Sequence, residues 1–468
     1  MASQTSRPSQ ATPARRAGIG RIISAGLIGT TIEWYDFFLY GSAAALVFNK
    51  LFFPSSEPLV GTLLAFLTYA IGFAARPLGG VVFGHYGDKI GRKKLLVLSL
   101  VLMGGATFAM GLLPTHAGIG VGAPVLLTLL RLIQGFALGG EWGGAVLLVS
   151  EHGDDEHRGF WASWPQAGAP GGNLLATGVL ALLAAVQSDE TFLAWGWRIP
   201  FLLSGVLVAI GLWIRVSVSE SPVFLEAQAK AAEHADAGAA HKPPVVEVFR
   251  TNWRGVLTAV GTRLGENISY YIITAFLLVY VTTHLGLSKS AGLNAVLIGS
   301  AVHFVTIPAW GALSDRIGRR PVTLIGSVGM IGWAFAFFAM LDSKSFPAIT
   351  AAVTIGLLFH GAMYGPQAAF ISEMFDTKVR YSGASMGSQL ASIIGGALAP
   401  IIAVALLDDY GSALPVSIYL AAAAAVTSVT VLAARETRGR SLSRSHGRAA
   451  APVPGGRQAE TGQVSAGS

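Results

Sequence analysis

Gly84-His-Tyr-Gly-Asp88-Lys89-Ile-Gly91-Arg92-Lys93 returns later in the chain as Gly311-Ala-Leu-Ser-Asp315-Arg316-Ile-Gly318-Arg319-Arg320. Both copies fit G-x3-D-[KR]-x-G-[RK]-[RK], and each follows the second long apolar stretch of its half. A repeat at matching positions implies two related units joined in tandem. Glycines and basic residues between apolar stretches also make ordinary turns, but chance is a poor explanation for the pair together.

The surrounding composition says what those units are made of. The chain of 468 residues is 52% hydrophobic and 12% charged, with mean hydropathy +0.57, whereas a soluble domain is roughly 25% charged. Such a chain cannot cover itself with a soluble surface. Its 58 glycines are scattered through the apolar stretches, as close helix packing in lipid favours. It contains no cysteine, which excludes disulfides, thiolate metal sites and cysteine nucleophiles. No metal-ligand cluster, phosphate loop or nucleophile with a base at usable spacing stands out, so an enzyme is not expected.

A membrane-spanning helix needs about 20 mostly apolar residues. Such stretches fall near 22–48, 59–83, 94–113, 124–150, 159–187, 199–218, 254–283, 291–313, 321–341, 347–371, 381–407 and 412–434. The expectation is an all-α membrane protein with twelve spans in two six-helix bundles, 21–218 and 251–434. A cytoplasmic tail occupies 1–20, a cytoplasmic linker 219–250 and a disordered cytoplasmic tail 435–468. The first 18 residues have no apolar core and do not read as a signal peptide. With both ends cytoplasmic, 25 of the 32 Lys and Arg residues fall on the inner side and four (Lys50, Arg198, Lys289, Lys344) outside. Discounting the six arginines after Ala434 leaves 19 against four, a strong positive-inside bias. The net charge of +7 is thus explained by topology, without nucleic acid.

The two loops resemble the signature loop of the major facilitator superfamily. Within it the chain is similar to the metabolite:H+ symporter family, which includes permeases for shikimate, 2-oxoglutarate, citrate and proline or betaine. The matching stretches include Glu33-Trp-Tyr-Asp36-Phe-Phe-Leu-Tyr40-Gly41, Arg76-Pro-Leu-Gly-Gly80, Arg131-Leu-Ile-Gln134-Gly135, Gly139-Gly-Glu141-Trp-Gly-Gly144, Trp195-Gly-Trp-Arg-Ile-Pro200, Glu220-Ser-Pro222 and Arg380-Tyr-Ser-Gly383. Arg263-Leu-Gly-Glu266 with Ile273-Thr-Ala-Phe276 is nearest to shikimate-type members. The resemblance implies the two-bundle fold, alternating access, proton coupling without another cofactor, and a functional monomer in the bacterial cytoplasmic membrane. It also implies that Gly84, Asp88, Lys89, Gly91 and Arg92, with Gly311, Asp315, Arg316, Gly318 and Arg319, gate the cytoplasmic side. Topological anchoring is the competing role.

Charged groups inside a bilayer cost about 2.5–3.5 kcal/mol each even on a lenient scale, so they persist where they pair or line a wet path. Glu33, Asp36 and Tyr40 share one helical stripe at i, i+3, i+7. Two carboxylates so close disfavour joint ionisation, so one of them can carry a proton; a structural ion pair is the alternative. Arg131, Gln134 and Glu141 lie along one face of the fourth helix, its ends about 15 Å apart, so each charge needs a partner elsewhere. By resemblance Arg131-x-x-Gln-Gly is a proton-coupling element. The candidates for proton coupling are therefore Glu33, Asp36, Arg131, Glu141 and Glu266.

A second stripe runs through Arg263, Glu266 or Asn267, Tyr270 and Thr274, and a third through His360, Tyr364 and Gln367. With Tyr40, Arg76, Gln134 and Gln166, these supply the candidate substrate-binding residues: Arg263, Asn267, Tyr270, His360, Tyr364 and Gln367. A lone His303 on the eighth helix reads as a packed neutral histidine. Asn173, beside Pro165 and Pro170, suits a hinge or a substrate contact. Three buried arginines offer planar forks that match a carboxylate, which predicts symport of a small organic acid with H+. If Glu33, Asp36, Glu141 or Glu266 matches each arginine, a zwitterion such as betaine fits as well. The osmolyte permeases carry a long C-terminal coiled coil, whereas the tail here has no apolar heptads. A non-transporting membrane sensor on the same fold is the reading from another class.

Overall fold

A computed structural model describes residues 13–54, 58–90, 92–139, 155–217, 244–375 and 380–440, with some side chains in these stretches left undescribed. Long helices succeed one another along it: α1 (Pro13–Ala43), α2 (Pro58–Ile90), α3 (Arg92–Leu112), α4 (Gly122–Leu138), α5 (Arg158–Val186) and α6 (Arg198–Ser217) in the first half. The second half contains α7 (Pro244–Tyr271), α8 (Lys289–Ile317), α9 (Arg319–Asp342), α10 (Phe346–Tyr364), α11 (380–410) and α12 (Leu414–Ala433). Among the described residues, eight stretches are long and apolar enough to cross a membrane, and a bent pair through α6 makes a ninth. The remaining long segments are α1 and the shorter α3 and α4.

Each half closes on itself. In the first, α1 packs on α5, α2 on α4, and α3 on α6; in the second, α7 packs on α11 and α12, and α10 on α8 and α9. The halves meet along two seams, α5 against α8 and α2 against α11. Large apolar side chains such as Leu78, Leu112, Leu182, Val305 and Val429 stand on the outside, the surface that lipid requires. Ionisable groups within the spans, such as Asp36, Arg76, Arg131, Arg263 and Glu266, are buried.

Small residues set the helix spacing inside the first half. A Cβ on Gly135 would overlap the carbonyl of Gly72, and one on Gly139 that of Arg76. The α2 and α4 backbones therefore touch, as small residues four apart allow. Five described stretches, among them Ala44–Phe48 after α1 and Ile272–Phe276 after α7, wind as π-helix. They re-aim the following turn without ending the span. Pro165 and Pro170 lie inside a continuous α5.

Two expectations meet a difference here. Helical structure resumes at Pro244, within the stretch read as linker, and the backbone leaves helical geometry at Asn252 (φ −140°, ψ 35°) before the span proper. The tail read as disordered from Arg435 is ordered through Arg440. The reason is Glu436, whose carboxylate accepts backbone N–H groups of Arg319 (2.9 Å), Arg320 (3.0 Å), Thr437 (2.9 Å) and Arg438 (3.0 Å). The composition of the tail conceals that single anchor.

Replacing Gly135 with alanine forces apart two helix backbones, an overpacking cost of about 1–3 kcal/mol or more. Gly105→Ala is the control, since nothing lies within 4 Å of a Cβ there. Thermal unfolding in detergent should show a clear loss for Gly135→Ala and none for Gly105→Ala.

Candidate functional site

The second loop copy lies at the end of the molecule where α8 turns into α9. Gly318 makes that turn with φ +108°, a conformation that favours glycine. Asp315 caps the start of α5 across the seam, accepting the N–H groups of Gly159 and Phe160 at 2.8 Å each. Those amides belong to the first turn of α5, where N–H groups lack helical partners and the helix dipole favours a negative charge. Arg319 binds Asp315 at 2.6 Å and Glu373 at 3.2 Å. Glu373 also takes Arg158 of the first half at 2.9 Å and the Thr437 hydroxyl at 2.6 Å. Arg158 in turn donates to the Arg440 carbonyl at 2.9 Å.

Four charged side chains, two of each sign, thus form one buried cluster spanning both halves. Arg319 meets a carboxylate on two sides, Asp315 and Glu373, which is what a buried guanidinium requires. Removing one partner from such a cluster strands the others, at about 3–5 kcal/mol. The opposite end of the seam is held differently. Lys289, at the start of α8, meets Asp189, which precedes α6, at 2.5 Å, with the Asp189 side chain 85% exposed. The Lys289 hydrogen bond and charge keep that carboxyl below its usual range, yet an exposed pair contributes only about 0–1 kcal/mol.

Of the gating candidates, Gly311, Asp315, Gly318 and Arg319 converge on this end. Arg316 is exposed beside it. Gly84, Asp88, Lys89, Gly91 and Arg92, and likewise Glu141, lie outside the residues whose side chains are described.

Between the two ends the candidate binding residues are all inward: Glu33, Asp36, Tyr40, Arg76, Arg131, Gln134, Gln166, Arg263, Glu266, Asn267, Tyr270, His360, Tyr364 and Gln367 are each at most 8% exposed. They form two groups. In the first half Glu33, Phe37, Arg76, Arg131 and Gln134 line one narrow gap. Arg131 donates to the Gln134 carbonyl, whose amide reaches Thr107 at 2.8 Å. Its guanidinium lies 4.4 Å from the Tyr40 ring centre and 4.8 Å from that of Phe37, a cation–π environment. Asp36 is buried, and neither of its carboxylate oxygens has a hydrogen-bond partner among the described residues. Arg76 lies 4.2 Å from the Phe73 ring centre, and its Nε and Nη2 have no hydrogen-bond partner among the described residues.

The second group is centred on Glu266. Its carboxylate meets Gln367 Nε2 and Asn267 Nδ2 at 3.0 Å each and His360 Nε2 at 3.2 Å. Arg263 stays 3.9 Å away and donates to Ser388 at 2.6 Å. The intrahelical Arg263–Glu266 pair is therefore present but long. Tyr270 and Tyr364 flank His360, with ring centres 4.8 and 5.3 Å distant. An aromatic layer separates the groups, with Phe37, Tyr69 and Phe73 facing Tyr271, and Phe38 facing Tyr270. Asn173 crosses the seam to Ser300 at 3.1 Å. Gln166 is buried, with its Nε2 unpartnered among the described residues.

Four participants were absent from the sequence candidates: Arg158, Glu373, Glu436 and His303. Arg158 and Glu373 sit at helix ends, where charge is unremarkable until the fold joins them. His303 is buried, as a packed histidine is, and in addition its Nε2 is 2.9 Å from His360 Nδ1. Among the described residues no group of three or more His, Asp or Glu side chains is placed to hold a metal ion.

Two inward-facing bundles with polar groups at mid-depth and charge locks at the ends define a membrane transporter. The family model described as sugar (and other) transporter matches residues 22–446. A shikimate transporter of Escherichia coli K12 is 42% identical over 441 residues, 93% of this chain and 98% of that protein. The inner membrane metabolite transport protein YhjE of the same organism is 42% identical, covering 90% of this chain and 95% of its own. A proline/betaine transporter of Salmonella typhimurium is 35% identical over 90% of this chain and 84% of its own. A solved D-xylose-proton symporter superposes with TM-score 0.68 at 19% identity, over 91% of this chain and all of that one; it shares the fold. The chain belongs to the sugar (and other) transporter family of the major facilitator superfamily, whose members are not enzymes.

The docked tail carries a pH dependence. Burial would raise the Glu436 pKa, but the four backbone N–H groups outweigh it and hold the carboxyl below its usual range. A lowered folded-state value stabilises docking above the ordinary glutamate range, and the contribution disappears as pH falls through the lowered value. Hydrogen exchange, corrected for intrinsic rates, should show the Arg319 and Arg320 amides losing protection on acidification. Glu436→Gln should have low protection at every pH.

Proposed function

We propose that the protein is a proton-coupled symporter of a small organic acid, of the shikimate-like carboxylate class, working by alternating access in the bacterial inner membrane. The excess of inner-side Lys and Arg supports placing the charge cluster at the cytoplasmic face. The observation that carries the reading is the long Arg263–Glu266 pair, whose carboxylate also meets Asn267, His360 and Gln367. When Glu266 is ionised, it holds Gln367, Asn267 and His360 and attracts Arg263. When it is protonated, the attraction between Glu266 and Arg263 is lost and a substrate carboxylate can take its place, which couples binding to protonation. Asp36 beside Arg131 offers an analogous carboxylate in the first half.

The unequal ends support the order of events. A surface pair closes the outer end and a buried cluster the inner one, so the outer side opens at lower cost and admits solute first. Rocking of the two bundles follows. The 42% identical shikimate transporter favours the same substrate class. The 35% identical proline/betaine transporter supports the alternative of a zwitterionic osmolyte.

Proteoliposomes with an inward proton gradient should accumulate labelled shikimate, lose accumulation on adding a protonophore, and show no competition by betaine. Arg263→Gln should reduce uptake at least ~10-fold, the scale of one charged hydrogen bond. Uptake indifferent to a protonophore, or of betaine in place of shikimate, would overturn the reading.

A further inference from the structure

The second half contains a hydrogen-bonded row that the coupling scheme above leaves unused. It runs from Glu266 Oε1 on α7 to His360 Nε2 on α10 at 3.2 Å, and from His360 Nδ1 to His303 Nε2 on α8 at 2.9 Å. It ends at His303 Nδ1, which is buried and has no hydrogen-bond partner among the described residues. The hydrogens follow from elementary valence, since a neutral imidazole has one N–H and one bare nitrogen. With Glu266 ionised, its oxygen only accepts, so His360 carries its hydrogen on Nε2. His360 Nδ1 is then an acceptor, and His303 must donate from Nε2. The lone pair at His303 Nδ1 is the open end.

We infer that Glu266, His360 and His303 form a directional proton relay, with His303 Nδ1 the port that accepts a proton and Glu266 the group that finally holds it. This rests on the proton-coupled reading and supplies its route. One proton binds His303 Nδ1, the His303 Nε2 hydrogen passes to His360 Nδ1, and the His360 Nε2 hydrogen passes to Glu266. Three N–H or O–H bonds form and two N–H bonds break, so one proton is gained overall. Both hydrogen bonds survive with reversed polarity, both rings end neutral as Nδ1–H tautomers, and no buried imidazolium persists. The charge removed is the one facing Arg263.

The surroundings fit a switch of this kind. Asn267 and Gln367 supply amides to the carboxylate, Tyr270 lies against both imidazoles at 4.8 and 5.9 Å, and Tyr364 lies against His360. Arg263 is the nearest fixed positive charge. From the facing half come Asn173, bonded to Ser300 of α8, and Arg76 and Arg131, which lie over Phe73 and Tyr69, the rings that face Tyr271.

The test uses the whole protein in liposomes without substrate or gradient, so its outcome is independent of what is transported. Ring nitrogen-15 spectra and infrared carboxylic C=O bands are followed as pH is lowered. The relay predicts that His303 and His360 pass together from Nε2–H to Nδ1–H neutral tautomers as a C=O band, absent in Glu266→Gln, appears. His303→Leu leaves His360 with a buried Nδ1–H and no acceptor, so the band should move to lower pH by about one to two units. A merely structural His303 would leave the band's pH unmoved. The relay is overturned if either ring becomes imidazolium while Glu266 stays ionised, or if neither ring changes tautomer.

Discussion

A buried cluster of opposite charges at one end of the seam between two bundles is the constraint on which this structure depends. Arg158 comes from the first half, whereas Asp315, Arg319 and Glu373 come from the second. None is tolerable alone away from water. Each half therefore finishes the other, and the start of α5 is capped by a carboxylate that its own bundle does not contain. Glu436 extends the lock by fastening the chain beyond α12 to the first turn of α9.

The same logic applies at mid-depth. Polar side chains on α1, α2 and α4 gather at one narrow gap, and His360 of α10 and Gln367 just beyond it meet Glu266 of α7. The aromatic layer around Tyr271 lies between the two groups. A solute's negative group would compete with Glu266 for Arg263, and a proton on Glu266 would settle the competition.

Much of this was legible in the sequence, and the reasons are physical. Twelve apolar stretches, a repeated loop and the placement of Lys and Arg follow from the demands of a bilayer, which act on each span separately. The stripes Arg263-Glu266-Tyr270 and His360-Tyr364-Gln367 were visible because helical periodicity assigns a face from spacing alone. What stayed hidden depended on contacts between helices. Nothing local distinguishes Arg158 from any basic residue at a helix start, or Glu373 from any helix-terminal acid. His303 looked like a packed ring because its partner lies 57 positions away, and Glu436 was lost in a polar tail. Gly135 and Gly139 read as general small-residue packing until their carbonyl neighbours on α2 were known.

The central claim is that the charge cluster holds the halves together at the end proposed to face the cytoplasm. Pulsed electron-spin distance measurement tests it most directly, with one label at exposed Glu156 just before α5 and another at exposed Arg316 near the turn from α8 to α9. The wild-type protein should give mainly one short distance, and Glu373→Gln should add a longer one at its expense. An identical single distance in both proteins would mean that the halves are kept closed by something other than these charges.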